Sequence, residues 1–345
     1  MNSSIRLSLI LPCYNVEKYI AECLDSLYAQ DIPESEYEVI CVNDCSPDGT
    51  RDIIVAYQQK HPNLILIDHA VNKKQGAARN TGFNYARGKY IWFIDSDDYI
   101  KENVIGSLLK EIESNDLDIL NFEMYLITYN NITIKNKITD STDIITGKEF
   151  IHQLSDNWQI NGSVSSKLFK RNYLIEIQLY FSLSNYLEDQ IYSLRSVFYA
   201  NRFRHLEMYC YYYRHNQDST LNTRMTSEKY LSIFQLSSDL FVFTREIETN
   251  DPILYKSVLE IALWYLNAVV KQIIYFRATE RQRAISCIKD KIPIIIHSEY
   301  FHGWPYFLFS HLSIVNSILY LISPFLRYTK QCKKYLKNKI SLLCK

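Results

Sequence analysis

Three aspartates stand directly after an apolar run near residue 95. Residues 90–94 read Tyr-Ile-Trp-Phe-Ile, which predicts a strand that enters a core, and Asp95, Asp97 and Asp98 follow it. Carboxylates crowded in this way repel one another unless a cation or hydrogen-bond donors compensate them. An Asp-x-Asp pair offers the oxygen ligands that a hard divalent ion such as Mg²⁺ or Mn²⁺ takes, together with phosphate oxygens. The alternative is that the aspartates cap the next helix, because a helical pattern begins at Glu102.

Alternating strand and helix patterns must position these carboxylates. The predicted strands are residues 5–11, 37–42, 64–68 and 90–94, and the predicted helices are residues 16–28, 51–59 and 76–87. Asn15 is the expected N-cap of the first helix. This alternation predicts a mostly parallel sheet with helices on both faces, and such sheets bind ligands at the carboxyl ends of their strands. Further polar residues, Asn15, Asp44 and Asp48, fall at those ends.

The composition is typical of a folded globular protein whose charged residues balance. Of the 345 residues, 47% are hydrophobic, and Lys plus Arg and Asp plus Glu both total 38. Because these charges balance, we expect no nucleic-acid partner. The eight cysteines form no CxxC pair. They therefore predict reduced thiols in a cytoplasmic protein.

Three stretches, taken together, resemble the family 2 glycosyltransferases. They are SLILPCYNVEKYIAECLDSL, EVICVNDCSPDGT and QGAARNTGFNYARGKYIWFIDSDDYI, in the order and spacing of that family. The resemblance is dense from residue 7 to about residue 100 and sparser to about residue 220. It implies a Rossmann-like GT-A fold at 1–222, with a nucleotide-binding half at 1–100 and an acceptor half at 101–222. A helical C-terminal region at 223–345 would follow.

The resemblance implies a nucleotide-sugar site at the strand ends. Asp44 would accept a hydrogen bond from a uracil ring N–H, which favours a UDP-sugar, while GDP and dTDP sugars stay open. The alternative for Asp44 is a turn-forming role. The base would lie beside Pro12, Tyr14 and Asn15, and the other expected donor-site residues are Gly76, Arg79, Asp95, Ser96 and Arg214. A surface salt bridge is the alternative for Arg79.

The same resemblance implies which residues bind the metal ion and which residue acts as the general base. Asp97 would be the direct metal ligand, and Asp95 would share the ion or face the ribose. The pair Glu188-Asp189 stands at the head of an apolar helical run and matches the position of the family's catalytic carboxylate. Asp189 would be the general base of an inverting displacement, with Glu188 beside it. A pair that merely complements the helix dipole is the alternative.

Two other stretches resemble family segments less specifically. In GSVSSKLFKRNYL, Lys167 either points at the acceptor or is structural. In YYYRHNQDST, Arg214, His215 and Ser219 either reach the diphosphate or belong to the polar end of a tyrosine-rich strand. The Gln-x-x-Arg-Trp motif of processive members is missing, which favours a non-processive transferase.

Helical patterns dominate after about residue 227, where the resemblance implies an acceptor site or a homodimer contact. Residues 300–326 contain no Asp, Glu, Lys or Arg, and a basic tail follows them to residue 345. An interfacial helix on the inner face of the cytoplasmic membrane, a buried core helix and a true span all stay open. The interfacial helix fits a lipid-linked saccharide acceptor.

The sequence thus predicts an inverting, metal-dependent sugar transferase. It would move a sugar from a nucleotide-sugar to a hydroxyl of a saccharide or lipid-linked saccharide, in surface polysaccharide biosynthesis. A nucleotidyltransferase is disfavoured because no Gly-rich phosphate loop follows the first strand. The non-catalytic alternative is a donor-binding or scaffolding protein of a polysaccharide assembly complex, and the full set of carboxylates argues against it.

Overall fold

The computed structural model describes most of the first two thirds of the chain. The described residues are 5–128, 131–135, 141–155, 162–183, 187–215 and 226–247, with scattered positions between 251 and 282. The chain divides into two compact units, residues 1–223 and 224–345. The uncharged segment 300–326, for which three locations were considered, lies outside the described residues.

The first unit alternates strands and helices as far as residue 114 and then becomes richer in strands. Its strands are β1 Leu7–Cys13, β2 Tyr37–Asn43, β3 Leu64–Asp68, β4 Tyr90–Phe93, β5 Tyr99–Ile100, β6 Ile119–Thr128, β7 Asn131–Lys135, β8 Ser141–Ile145, β9 Lys167–Lys170 and β10 Phe203–Arg214. Its helices are α1 Ile20–Tyr28, α2 Thr50–Gln58, α3 Lys74–Tyr85, α4 Ile105–Ser114, α5 Gly147–Ser155, α6 Arg171–Glu176 and α7 Glu188–Tyr199. A short 3₁₀ turn, Glu34–Glu36, precedes β2.

All of these strands belong to one mixed sheet. The strand order is β3-β2-β1-β4-β9-β6-β10-β5, with β7 paired to β6 and β8 paired to β10. The predicted parallel arrangement is confirmed for β1 to β4. The other half is mixed, because β9 runs antiparallel to both β4 and β6 while β10 runs parallel to β6. The fold is therefore α/β as expected, but only half of the sheet is parallel.

Helices cover both faces of the parallel half. Leu9 of β1 packs in one core with Leu24 of α1 and Leu108 of α4. Ile10, the next residue, points to the opposite face, where it contacts Gly82 of α3 so closely that an added Cβ would overlap Ile10 Cγ2. This alternation is the period of two that a strand imposes on its side chains.

The first helix starts later than its pattern predicts. It begins at Ile20, and its N-cap residue is Tyr19, which makes no side-chain capping bond. The expected cap, Asn15, is exposed with φ of 55°, and its N–H donates to Ser46 Oγ at 3.3 Å. Asn15 therefore forms the turn between β1 and α1, because asparagine tolerates the left-handed conformation that this turn requires.

The aspartates do not cap a helix. Residues Tyr99–Ile100 form β5, and the next helix begins at Ile105 with Val104 as its N-cap residue. The helix-capping alternative for Asp95, Asp97 and Asp98 is thus wrong, and these carboxylates need another partner.

The second unit contains helix α8, Ser227–Thr244. Thr226 caps it by accepting a hydrogen bond from the Lys229 N–H at 3.3 Å. Phe234, Leu240 and Phe241 of this helix are buried. Within the part of the chain that the structure describes, no helix combines the length and the apolar character that a bilayer span needs.

Candidate active site

The carboxyl ends of β1, β2 and β4 meet at one edge of the sheet. These strands are parallel neighbours, and Cys13 at the end of β1 pairs with Asn43 at the end of β2. Ile10 pairs with Phe93, the last residue of β4. The residues that follow each strand, among them Asp44 and Asp95, therefore lie at the same edge.

Asp44 is buried and already has several partners. Its Oδ1 accepts a hydrogen bond from the Lys73 N–H at 2.8 Å and lies 2.7 Å from His69 Nδ1. Its Oδ2 accepts from the Lys74 N–H at 2.8 Å. Each carboxylate oxygen can accept two hydrogen bonds, so Oδ2 keeps capacity for a further donor. The contact with a uracil ring stays a prediction, and Oδ2 is the atom that would make it.

The turn that was the alternative role for Asp44 is made by its neighbours. Asn43 Oδ1 accepts from the Ser46 N–H at 3.1 Å. Asp48 Oδ2 accepts from the Glu17 N–H at 3.0 Å and Oδ1 from the Thr50 N–H at 3.2 Å. The carboxylate of Asp44 instead accepts hydrogen bonds from backbone N–H groups at the start of α3.

The β1 end of the site has a buried part and an exposed part. Pro12 is buried, and its carbonyl accepts a hydrogen bond from Ser96 Oγ at 2.7 Å. Tyr14 and Asn15 are exposed. Ser96 therefore connects β1 to residues 95–98 after β4, which we call the aspartate loop. Tyr14 and Asn15 are accessible to a ligand.

Arg79 joins two carboxylates that are distant in sequence. Its Nη1 donates to Glu188 Oε1 at 2.6 Å, and its Nη2 donates to Asp95 Oδ1 at 2.7 Å. The side chain is buried, so the surface-salt-bridge alternative is wrong. Burial lowers the pKa of Arg79, but Asp95, Glu188 and Asp189 outweigh it and the net pKa is raised, which keeps the guanidinium charged.

Gly76 permits the close approach of α3 to the segment before α7. An added Cβ would lie 2.5 Å from the Ser182 carbonyl oxygen and 3.2 Å from Glu188 Cγ. A real Cβ does not approach a backbone oxygen so closely, so glycine is required by packing. Donor binding by Gly76 stays a prediction.

Asp98 is bound to β10. Its Oδ2 accepts from Tyr211 OH at 2.8 Å, and its Oδ1 accepts from the Arg214 N–H at 2.7 Å. Tyr211 OH in turn accepts from the Asp95 N–H at 3.1 Å. Burial, and then the charges of Asp97 and Asp95, raise the pKa of Asp98 well above its usual range. The ionised forms of these three carboxylates therefore oppose one another, and a nearby cation would relieve that repulsion.

Asp97 and Asp95 fit a divalent ion that is shared with a ligand. Both are partly exposed, and they offer only oxygen atoms. Among the described residues, no group of three or more His, Cys, Asp or Glu side chains is arranged as a metal cage. Mg²⁺ usually keeps one or two carboxylates and takes its other ligands from phosphates and water. The metal role of Asp97 and Asp95 stays a prediction.

Arg214 connects the aspartate loop to α1. Its Nη2 forms a 2.7 Å ion pair with Glu22, and its Nε donates to the Asp97 carbonyl at 3.0 Å. The guanidinium lies 5.2 Å from the centre of the Tyr19 ring and 5.3 Å from that of Tyr99. Contact of Arg214 with a diphosphate stays a prediction that requires it to leave Glu22. Ser219 lies outside the described residues.

Glu188 and Asp189 occupy the first turn of α7. Glu188 is tied to Arg79, whereas Asp189 is partly exposed and is held by no ion pair among the described residues. Burial, and then the charge of Glu188, raise the pKa of Asp189 to about 7, although Arg79 opposes the shift. A carboxyl group with a pKa near neutrality is suited to accept a proton. Its role as base stays a prediction.

Three residues that contact the site were not identified from the sequence. Ser165 donates its Oγ hydrogen to Asp95 Oδ2 at 3.2 Å, Tyr211 connects Asp95 and Asp98, and His69 connects Asp44 to Thr81 Oγ1, which lies 2.9 Å from its Nε2. The first two lie within GSVSSKLFKRNYL and YYYRHNQDST, stretches that resemble family segments. Nothing local in the sequence marks His69.

The chain resembles known proteins mainly through its first unit. The sequence profile described as "Glycosyl transferase family 2" matches residues 8–177. A poly(ribitol-phosphate) beta-glucosyltransferase from Bacillus spizizenii is 31% identical over 218 residues, which are 62% of this chain and 33% of that protein. The uncharacterized glycosyltransferase EpsJ from Bacillus subtilis is 33% identical over 215 residues, 61% of this chain and 62% of that protein. The chain thus spans between a third and three fifths of these relatives.

Solved structures share the fold. The crystal structure of residues 1–349 of TarS from Staphylococcus aureus, in complex with UDP-GlcNAc, has a TM-score of 0.63 at 24% identity and covers 84% of this chain and 82% of that one. A mannosyltransferase from Pyrobaculum calidifontis, in complex with GDP-Man and Mn²⁺, has a TM-score of 0.51 at 16% identity and covers 94% of this chain and 83% of that one. These similarities agree with the predicted GT-A fold.

Proposed function

Because the chain belongs to glycosyl transferase family 2 through residues 8–177, we propose that it transfers a sugar from a nucleotide-sugar donor to a hydroxyl group of a saccharide or lipid-linked saccharide. The names of its relatives support an acceptor in polysaccharide or teichoic acid synthesis. The observation that carries the proposal is the bridge made by Arg79, which connects the strand-end carboxylate Asp95 to the helix that begins with Glu188 and Asp189.

The reaction is a single displacement with inversion. The acceptor oxygen attacks the anomeric carbon while Asp189 takes its proton, and the bond from that carbon to the diphosphate oxygen breaks with its electron pair. Arg79 fixes Glu188 and therefore the first turn of α7, from which Asp189 extends. When bound by Asp97 and Asp95, a divalent ion would supply positive charge for the departing diphosphate.

A UDP-sugar is the donor that we favour. Asp44 Oδ2 keeps a lone pair for a ring N–H, and Tyr14 and Asn15, which follow β1 at the same edge of the sheet, are exposed. The TarS structures with UDP and UDP-GlcNAc support this choice, while the mannosyltransferase structure with GDP-Man keeps GDP-sugars under consideration. We further propose that the chain acts at the inner face of the cytoplasmic membrane, because the uncharged stretch 300–326 and the basic residues after it suit contact with lipid.

A binding panel tests the proposal. Calorimetry and thermal unfolding with UDP, GDP, dTDP and CMP, each with and without Mn²⁺, should show selective binding of UDP that depends on the metal. At a concentration of about 100 times Kd, a ligand stabilises the folded state by about 2.7 kcal/mol. The Asp97→Asn variant should lose the Mn²⁺ dependence and keep its unfolding temperature without ligand.

The outcomes separate the alternatives. Absence of binding by all four nucleotides would contradict a donor site at this edge. Selective binding without release of UDP from a UDP-sugar, in the presence of saccharide acceptors, would support the scaffolding alternative. If Asp97→Asn binds UDP with unchanged Mn²⁺ dependence, the metal ligands have been assigned wrongly.

A further inference from the structure

The carboxylates around Arg79 outnumber the cation that holds them. Asp95 and Glu188 both bond to its guanidinium, and the field of Asp189 also reaches it. One positive charge among three carboxylates leaves an excess of negative charge where solvent screening is weak. A second cation close to Asp189 would reduce that excess.

Lys167, the first residue of β9, is a buried cation near this cluster. Its relative exposure is 1%. Its Nζ donates to the Ser163 carbonyl at 2.7 Å and lies 3.5 Å from Ser166 Oγ. Burial lowers the pKa of Lys167 to about 7, and the field of Asp189 opposes that shift. The ammonium group is thus fixed at a buried position within the electrostatic reach of Asp189.

The segment 162–167 connects the two sides of the site. At one end, the side-chain amide of Gln190, in the first turns of α7, occupies the space that a Cβ at Gly162 would need. In its middle, Ser165 donates to Asp95 at 3.2 Å. The carbonyl that holds Lys167 belongs to the same segment. Lys167 is therefore positioned relative to both the start of α7 and the end of β4.

On its other side, Lys167 continues a buried polar row across the sheet. It is paired in register with Asn121 of β6, which is paired with His205 of β10. Asn121 Nδ2 lies 2.7 Å from His205 Nδ1, and His205 Nε2 lies 3.2 Å from Glu123 Oε1. Glu123 is the buried carboxylate of this row, and the test below includes it as the alternative to Asp189.

We propose that Lys167 is a positioning residue for the reaction, whose positive charge balances the carboxylate cluster and favours the ionised form of Asp189. This inference rests on the proposed function. The groups that act on Asp189 are Glu188 of its own helix, Arg79 of α3, Asp95 after β4, Tyr213 of β10 and Lys167 of β9. Removal of Arg79 would also break its bonds to Asp95 and Glu188, so Lys167 is the cation to replace in the test.

The first test measures stability and needs no activity. Thermal unfolding is compared for Lys167→Met, Asp189→Asn and the double variant, because residues that interact give non-additive effects. We expect the double variant to lose less in Tm than the two single losses together, since the buried lysine and carboxylate are removed as a pair. Lys170→Met is the matched control on the same strand, because its ammonium pairs with Asp116 at 2.8 Å and is partly exposed.

The second test measures the pH dependence of UDP release, with UDP-glucose and UDP-N-acetylglucosamine as probes. Loss of a nearby positive charge raises the pKa of a carboxyl group. Lys167→Met should therefore move the acid midpoint of the rate upward by about one pH unit, which lowers the rate at low pH by about tenfold. UDP affinity should stay within about twofold, and Lys170→Met should leave the midpoint unchanged. Lys167→Gln, which retains a donor for the Ser163 carbonyl, replaces Lys167→Met if that variant does not fold.

Two results would overturn the inference. One is an additive Tm loss for the pair Lys167 and Asp189 together with a non-additive loss for Lys167→Met combined with Glu123→Gln. The other is an acid midpoint that Lys167→Met does not move. If the wild-type protein releases no UDP from either probe, the proposed function fails, and the unfolding experiment still decides whether Lys167 and Asp189 interact.

Discussion

Glu188 and Asp189 are adjacent in the chain, yet their carboxylates have different environments. Glu188 is buried and accepts a hydrogen bond from Arg79 Nη1 in an ion pair of 2.6 Å. Asp189 is partly exposed, and burial raises its pKa to about 7. A carboxylate committed to an arginine is a poor proton acceptor, whereas a carboxylate with a pKa near neutrality is a good one. We therefore propose that Asp189 accepts the proton and that Glu188 positions α7.

Replacement of Asp189 by Asn should separate binding from transfer. The amide keeps the shape of the carboxyl group but accepts no proton, so UDP affinity should be retained while the transfer rate falls by about 10²–10⁴-fold. In the wild-type protein, the rate should rise with pH through a midpoint of about 7, because only the ionised carboxylate accepts a proton. Steady-state kinetics between about pH 5.5 and 9 measure both effects.

The raised pKa of Asp189 also makes stability depend on pH, and stability should fall over the range in which the rate rises. The folded state holds the Asp189 proton up to about pH 7, while the unfolded chain releases it near its ordinary value of 3.8. The contribution of this group to stability therefore falls as the pH rises between those values. Asp52→Asn, at an exposed position of α2, is the matched control and should show neither effect. A near-normal transfer rate for Asp189→Asn would contradict the assignment.

At the scale of elements, Arg79 connects three parts of the chain. It extends from α3, bonds to Asp95 after β4, and bonds to Glu188 at the start of α7, which is 109 residues away in sequence. Tyr211 connects β10 to the loop after β4, because its hydroxyl bonds to both Asp95 and Asp98. The geometry of the candidate site thus depends on how helices and strands pack rather than on the loop alone.

Arg79→Met should destabilise the protein strongly. The variant leaves Asp95 and Glu188 without their common cation, and removal of one partner of a buried ion pair costs about 3–5 kcal/mol of unfolding free energy. Urea unfolding measures the loss. Arg51→Met is the control, because the Arg51 to Asp68 pair is half exposed and water replaces it readily. If Arg79→Met costs no more than Arg51→Met, the bridge does not hold these elements together.

At the scale of the whole molecule, the candidate site lies entirely within the first unit. The main hydrophobic cluster, from Leu7 to Tyr211, also lies within residues 1–223. An apolar core that is contained in one unit allows that unit to fold by itself. The donor site and the stability of the first unit should therefore be independent of residues 224–345.

A fragment of residues 1–223 tests this independence. We expect it to unfold cooperatively and to bind UDP in the presence of Mn²⁺ with an affinity within about threefold of that of the full chain. Cell fractionation of the same two proteins tests the proposed membrane contact, since only the full chain should be found with membranes. A fragment that remains soluble but binds no UDP, beside a full chain that binds it, would show that the second unit completes the site.

The sequence by itself determined the parallel half of the sheet and the positions of its polar residues. Strands β2 and β3 begin where their apolar runs begin, and Asp44 and Asp95 follow β2 and β4 at one edge, as the alternation predicts. These features depend on local periodicity, which a single segment carries. The start of α1 was misplaced because the left-handed conformation of Asn15 depends on its contact with Ser46, 31 residues away.

Only the tertiary structure decided what each polar residue contacts. The sequence could not show that Arg79 bridges Asp95 and Glu188, that His69 bonds to Asp44, or that Asp98 is bound by β10. The mixed half of the sheet was also missed, because the pairing of β9 with β4 and β6 joins segments far apart in the chain. Hydrogen bonds and ion pairs of this kind form only after packing brings distant segments within about 3 Å, and no local pattern encodes that distance.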